Sequence, residues 1–290
     1  MITRQETLET EEEGPILWVR LDRPEVLNAY NATMGAEIAA AFHRADTDDS
    51  IRVVVLTGKG RVFCAGADVS AGAGAFDTES GAGAGNFGGG ATRDGDFITA
   101  MMACRKPSIV AFNGSAAGVG LTLTLPCDIR IAVETARFGC VFTRRGLVPE
   151  AGSAWFLPQL VGLPTALRWC LTGALVPAAE AFAAGLVSEL VAADALEGRA
   201  RDMALEIAEN TAPVATALTR QLLWRHAADP DPSGALSVDS RLNIHLGKSA
   251  DVREGVAAFL EKRKPAFPGR VSADMPAIEP KPRAEGRRAS

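Results

Sequence analysis

The spacing of apolar residues changes along the chain and divides it into two kinds of segment. Ile16 to Leu21 alternates enough to predict a strand. Arg52 to Thr57 and Ser108 to Phe112 are short, nearly continuous apolar runs, the pattern of strands covered on both faces. Asp128 to Val133 is a further strand candidate. Between the first two strands Met34, Ile38, Ala41 and Phe42 recur at helical spacing, and Asn31 stands where its side chain can cap that helix. Strands alternating with helices predict an α/β fold with parallel pairing. From Asp194 onward the pattern is helical. Asp194 is a candidate cap for Ala195 to Glu209, Pro213 opens Val214 to His226, and Leu236 to Leu246 and Asp251 to Lys262 follow. No convincing internal repeat is present.

Two apolar runs end in glycine-marked turns. Phe63-Cys64-Ala65-Gly66-Ala67-Asp68 follows the run that ends at Thr57, and Asn113-Gly114-Ser115-Ala116-Ala117-Gly118-Val119-Gly120 follows Ser108 to Phe112. Turns of this composition leave backbone N–H groups unpaired at the start of the next helix. Two such donors aimed at one point suit an oxygen that gains negative charge during reaction. That points to chemistry on an acyl group rather than to phosphate or nucleic acid. A single turn of this kind is an ordinary strand-to-helix connection; the pairing, the order and the residues carry the specificity.

The stretch from Ser70 to Arg93 is dominated by glycine, alanine and serine. It has too little apolar surface to offset the entropy of ordering it and is too long for a plain connection. It leaves directly from the first turn, so a mobile loop beside the acyl pocket is expected. The remaining composition narrows the picture. A chain of this length can bury a substantial core without splitting into independent domains, and 47% of it is hydrophobic. No apolar stretch reaches the roughly 20 residues that span a membrane, and the acidic start, Met1 to Gly14, lacks the features of a secretory signal. A formal net charge of -5 gives no broad basic surface for nucleic acid. Cys64, Cys104, Cys127, Cys140 and Cys170 are scattered, and His43, His226 and His245 fit no metal-ligand pattern. Reduced thiols, a cytoplasmic location and no metal or separate cofactor are expected.

The two turns resemble the signatures of the crotonase (enoyl-CoA hydratase/isomerase) superfamily. So do Leu21-Asp22-Arg23-Pro24-Glu25-Val26-Leu27-Asn28-Ala29, Thr172-Gly173-Ala174, Ala179-Glu180-Ala181 and Gly185-Leu186-Val187. The resemblance runs in the family's order from about Ile16 to about Pro268. It implies an α/β fold built as a spiral of ββα units over residues 1–192. It further implies a C-terminal helical region over 193–268 that packs on neighbouring subunits as a homotrimer or dimer of trimers, with 269–290 as a tail. The implied substrate is an acyl-CoA thioester of fatty acid metabolism, with coenzyme A part of the substrate.

Matched residue by residue, the resemblance puts the two oxyanion donors at the Ala67 and Val119 N–H groups. Losing one such donor costs about 3–4 kcal/mol. Where the family often has glycine this chain has Val119, which keeps the N–H but narrows the pocket; Gly118 and Gly120 flank it. Family hydratases use two glutamates, and the matching positions here hold Thr122 and Phe142, neither of which can act as a general acid or base. A carboxylate stands instead at Glu150, where several isomerases of the family carry their base and the chlorobenzoyl-CoA dehalogenases carry a nucleophilic aspartate. One glutamate can take a proton from one carbon and return it two carbons away. Burial beside Phe142, Leu147 and Trp155 would raise its pKa toward a useful value. Pro149-Glu150 is also a common way to begin a helix.

Other positions read more plainly. Asp68 is expected to brace its own loop through an Asx-type contact. Thr122 can hold a water or a substrate group, although threonine inside an apolar helix commonly bonds its own backbone. Arg144 and Arg145 fit a solvated or subunit-contact pair, His245 a surface helix position, and Trp155 and Phe156 pocket wall or core. By resemblance Asn28-Ala29 and the loop Ala65, Gly66, Ala67, Asp68 and Val69, with Gly118, cradle coenzyme A. Phe259 and Lys262 match a late Phe and Lys near its nucleotide end, where a lysine can meet the 3′-phosphate. The function favoured is Δ3,Δ2-enoyl-CoA isomerisation through Glu150. The alternatives are hydration with a non-standard acid/base set, hydrolysis or dehalogenation through Glu150 as nucleophile, and acyl-CoA binding without catalysis.

Overall fold

The computed structural model describes residues 1–77 and 97–278. Of the glycine-rich stretch, residues 78–93 lie outside the described residues, as does the part of the tail beyond 278. In chain order the elements are β1 (Ile2–Arg4), β2 (Leu8–Glu13), β3 (Ile16–Leu21), α1 (Ala32–Thr47), β4 (Val53–Gly58), α2 (Phe97–Ala103) and β5 (Ser108–Phe112). Next come β6 (Ala116–Ala117), α3 (Val119–Thr122), β7 (Ile129–Val133), β8 (Arg137–Gly139), α4 (Ser153–Val161) and α5 (Leu163–Thr172). The chain continues with β9 (Leu175–Pro177), α6 (Ala178–Ala183), β10 (Glu189–Val191), α7 (Leu196–Asn210), α8 (Pro213–His226), α9 (Ser233–Leu246), α10 (Ala250–Glu261) and α11 (Val271–Asp274).

The main sheet runs β1-β2-β3-β4-β5-β7-β10, and a second sheet runs β6-β8-β9. From β3 to β10 neighbouring strands of the main sheet are parallel. The β1–β2 and β2–β3 pairs are antiparallel. Val53 to Leu56 and Ile109 to Phe112 are fully buried, as expected for strands covered on both faces. The α1 helix is capped by Asn31, whose Oδ1 accepts from Met34 N at 2.9 Å, and it buries Met34, Ile38, Ala41 and Phe42.

The acidic start forms β1 and β2. Its carboxylates are taken up by cations from elsewhere in the chain. Glu9 meets Lys59 at 2.7 Å, Glu11 meets Arg20 at 2.8 Å, and Glu13 meets Arg201 at 2.7 Å. The helix α7 belongs to the main core, where Ala200, Ala204 and Ala208 let it lie close against β3, β4, β5 and β7. The expected boundary at 192/193 therefore falls short of the packing boundary, which comes after α7. Asp194 does not cap α7; it sits in the 3-10 turn Ala193–Ala195 that precedes it. Beyond α7, Val214, Leu218, Val238 and Leu242 form a separate small cluster between α8 and α9. Ser272 and Arg105 tie α11 back to the body through Asp49 and the Val271 carbonyl.

Because β4 and β5 are adjacent and parallel, the turns that leave their C-terminal ends open at one edge of the sheet, the usual location of ligand sites in parallel α/β sheets. Asn113 locks the two exits together. Its Oδ1 accepts from Gly58 N at 3.1 Å and its Nδ2 donates to the Gly60 carbonyl at 2.9 Å.

Candidate active site

The first turn is held by a parallel bridge between Tyr30 and Ala67. Tyr30 N donates to the Gly66 carbonyl at 2.8 Å, and Asp68 N donates to the Tyr30 carbonyl at 2.8 Å. In a parallel bridge the residue between those two groups points its own N–H the other way, and no backbone acceptor among the described residues takes the Ala67 N–H. The Asp68 carboxylate braces the loop on both sides. Oδ1 accepts from Ser70 N at 3.1 Å and Oδ2 pairs with Arg23 at 3.0 Å. Hydrogen bonds from Ser70, and then the Arg23 guanidinium, hold that carboxyl below the ordinary aspartate range.

The second turn is stitched to the first. Phe63 N and Cys64 N donate to the Ser115 carbonyl, and Ala117 N donates to the Cys64 carbonyl at 3.1 Å. Gly118 adopts φ 54°, ψ −131°, a backbone shape that L side chains avoid, and caps α3. Leu121 N and Thr122 N return to the Gly118 carbonyl, while Val119 N, in the first turn, finds no intrahelical acceptor. Gly120 lies against Cys64: a Cβ there would stand 2.5 Å from the Cys64 carbonyl oxygen and 2.7 Å from its Sγ.

Glu150 reaches the site from a different part of the chain. It precedes α4 rather than opening it. Ala151 (φ 56°) and Gly152 (φ 70°) are both left-handed, and Ser153 N closes the turn on the Glu150 carbonyl at 3.0 Å. A left-handed alanine is unfavourable by about 1–2 kcal/mol. The reversal it makes turns the chain between Glu150 and α4, so the helix-start alternative for Pro149-Glu150 does not hold. The Glu150 side chain is partly buried and accepts a hydrogen bond on Oε1 from Thr122 Oγ1 at 2.9 Å. Thr122 is buried, and its contact to its own helix, the Val119 carbonyl, is longer at 3.5 Å.

Ala67, Val119 and Glu150 line one cavity of about 300 Å³. Ala29, Ala65, Gly66, Asp68, Val69, Gly118 and Phe142 are on the same wall. Leu147, expected beside Glu150, lines it too, and the structure also brings in Val26, Ser70, Phe76, Val141 and Val148, which carried no chemical signal in the sequence, and Arg145. Arg145 is thus on the cavity wall and not simply solvated, whereas Arg144 donates to the Thr172 carbonyl at 2.8 Å. Asn28 does not reach the cavity. It is fully buried, accepts from Arg23 N, and donates to the Lys59 and Val62 carbonyls, so it braces the loop that presents Ala29. Trp155 is also off the cavity and packs against Phe156 and Trp224. Phe259 is exposed on α10, Lys262 caps that helix, and neither lines the cavity of its own chain. His245 is exposed on α9. Among the described residues no group of three or more His, Cys, Asp or Glu could hold a metal ion, and no helix is long and apolar enough to cross a membrane.

Two amides and a carboxylate around an apolar cavity suit enolate chemistry on an acyl thioester, and comparison with known proteins places the chain in a family that processes acyl-CoA thioesters. The enoyl-CoA hydratase/isomerase family model matches residues 11–270. The chain is 40% identical over 252 residues to enoyl-CoA hydratase AFT3-1 of Alternaria alternata, a match covering 85% of this chain and 81% of that one. It is 34% identical over 266 residues to 1,2-epoxyphenylacetyl-CoA isomerase of Escherichia coli, covering 89% and 97%. The crystal structure of a probable enoyl-CoA hydratase/isomerase from Mycobacterium abscessus superposes with a TM-score of 0.79 at 34% identity, covering 91% of this chain and 99% of that one. The chain belongs to the enoyl-CoA hydratase/isomerase family, the crotonase superfamily. It is an α/β enzyme of the class that processes acyl-CoA thioesters.

Proposed function

We propose that this protein is a Δ3,Δ2-enoyl-CoA isomerase in which Glu150 carries the proton. The observation that supports it is Glu150 on the wall shared by Ala67 and Val119, with Thr122 and Phe142 at the two positions where a hydratase of the family has its glutamates. The other carboxylate on that wall among the described residues, Asp68, is engaged by Arg23 and Ser70.

In this reading the thioester oxygen sits between the Ala67 and Val119 N–H groups. Glu150 takes a proton from C2 of a 3-enoyl-CoA, and negative charge moves onto the oxygen as a dienolate forms. The same proton is returned to C4, the C3–C4 double bond becomes C2–C3, and the carboxylate is regenerated. The two amides supply about 3–4 kcal/mol each, and the positioned base contributes about 10²- to 10⁴-fold. The cavity takes the acyl and thioester part of the substrate. The nucleotide end of coenzyme A is assigned to the region of Phe259 and Lys262. Phe259 and Leu260 are 82% and 72% exposed on α10, which supports a homotrimer or dimer of trimers that covers them.

Hydration is the second reading. The Thr122 hydroxyl beside Glu150 favours it, because the pair could hold a water. A panel of 2-enoyl-, 3-enoyl- and aromatic CoA esters, assayed with wild type and Glu150→Gln, separates the readings. Isomerisation predicts that wild type converts 3-enoyl-CoA and that E150Q loses the conversion while still binding the ester. Wild-type turnover by E150Q refutes it. Absence of 3-hydroxyacyl product from crotonyl-CoA removes hydration.

A further inference from the structure

We propose that Thr122 is the positioning residue of Glu150, fixing the carboxylate relative to the oxyanion amides through its single hydroxyl proton. The inference rests on Glu150 acting as the base.

Thr122 is the last residue of α3. This one-turn helix follows directly from the second glycine turn, so Val119, the proposed oxyanion donor, and Thr122 lie three residues apart on the same rigid turn. Thr122 N is fixed on the Gly118 carbonyl at 3.0 Å, and the residue is only 1% exposed. Its hydroxyl has one proton and two acceptors in range. Glu150 Oε1 is at 2.9 Å and the Val119 carbonyl is at 3.5 Å. The shorter contact is also the one to a charged acceptor, which makes it the stronger. The proton therefore goes to Glu150 rather than back to the helix, the usual habit of a helical threonine.

The consequence is geometric. Glu150 arrives on a segment with no helix or strand of its own, held by a turn whose next residue is a left-handed alanine. The Thr122 bond ties the carboxylate to the helix that carries one of the two amides. The base and the oxyanion donor are thereby referenced to one element, as a near-attack arrangement requires. The position that a hydratase uses for a glutamate is used here to hold a glutamate that comes from elsewhere in the chain.

The test compares three variants of the full-length protein on 3-enoyl-CoA, with kcat, KM and the thermal midpoint measured for each. Thr122→Val keeps the shape and removes the hydroxyl; Thr122→Ser keeps the hydroxyl and removes a methyl. Thr122→Val is expected to lower kcat about 10- to 100-fold with KM within about twofold, the effect of losing a hydrogen bond to a charged group. Thr122→Ser is expected to stay within about threefold of wild type in kcat, even if its thermal midpoint falls. Wild-type kcat in Thr122→Val, or equal loss in both variants, overturns the proposal in favour of a packing role. Should Thr122→Val fail to fold, Thr122→Ala set against Thr122→Ser makes the same comparison. Glu150→Gln separates this inference from the one beneath it. An inactive Glu150→Gln with a fully active Thr122→Val removes only the role of Thr122, whereas an active Glu150→Gln removes the isomerase reading itself.

Discussion

Replacing Gly120 by alanine probes the joint between the two turns. The added Cβ would stand 2.5 Å from the Cys64 carbonyl oxygen and 2.7 Å from both Cys64 Cβ and Sγ. The Sγ could swing away by rotation about χ1, but the carbonyl oxygen and the Cβ are fixed to the Cys64 backbone, so a rotamer change does not relieve the clash. Restoring ordinary contact distances requires the two loops to part by about 1 Å, since packed carbon and oxygen atoms sit near 3.5 Å. The same movement lengthens the 3.1 Å bond from Ala117 N to the Cys64 carbonyl. Ala67 lies three residues beyond Cys64 and Val119 is next to Gly120, so the two amides separate with their loops. Overpacking of this size costs about 1–3 kcal/mol of stability. A misplacement of about 1 Å at a reacting centre costs about 10²-fold in rate. We therefore expect G120A to remain folded with a lowered thermal midpoint and to lose about 10²-fold in kcat on 3-enoyl-CoA. Steady-state kinetics with thermal unfolding on the same preparation provide the assay. Wild-type kcat in a folded G120A would show that the spacing of the two turns does not control the chemistry.

Two further outcomes follow from the structure. Asp68→Asn removes the partner of Arg23 but keeps an oxygen for Ser70 N, and should cost about 1 kcal/mol, or about 2–4 °C in thermal midpoint at pH 7. Because the folded carboxyl titrates below its unfolded value, its contribution is present above the ordinary aspartate pKa of about 3.9 and is lost as pH falls through the folded one. The gap in midpoint between wild type and D68N should therefore close in acid; a gap that is unchanged at low pH would contradict the ion-pair account. A mild thiol reagent near pH 8 should modify Cys170 first. Cys170 is half-buried and a hydrogen bond from Cys140 lowers its pKa. Burial pushes Cys64 and Cys127 up to about 12 and Cys104 up to about 11. Peptide mapping that finds Cys64 labelled ahead of Cys170 would mean that the first turn opens more readily than its packing implies.

The parts of this molecule that could be read from the chain are those whose signal is local. Asn31 followed by Met34, Ile38 and Phe42 contains both a cap and a period, and α1 starts and buries itself accordingly. The runs through Val55 and Val110 are continuous enough to specify fully buried parallel strands. Both glycine turns appear where they were expected, because Gly66 and Gly118 need backbone shapes that few residues adopt.

What was illegible depends on partners distant in sequence. The run Glu9, Glu11, Glu13 shows in the sequence only as part of an acidic start; Lys59, Arg20 and Arg201, which pair with it, are identified by the fold. Asp128 looks like a strand boundary, yet it accepts from Ser108, Arg220 and Trp224 and fastens α8 to the sheet. Pro149-Glu150 has the local chemistry of a helix start; only the left-handed Ala151 and Gly152 show that the chain reverses there first. Asn28 sits within a stretch that carries the family resemblance, but its side chain is spent on three backbone partners. The cavity walls at Val26, Phe76, Val141 and Val148 are apolar residues with nothing in their spacing to distinguish them from core.

In the proposed reaction one carboxylate faces a thioester whose oxygen is held by two backbone amides. A crystal structure of the protein with a 3-thia-acyl-CoA, which has no double bond to move, tests it most directly. The thioester oxygen is expected within about 3 Å of both the Ala67 and Val119 nitrogens, and C2 within about 3.5 Å of a Glu150 carboxylate oxygen. A thioester oxygen beyond reach of either amide, or a Glu150 carboxylate turned away from C2, would contradict it.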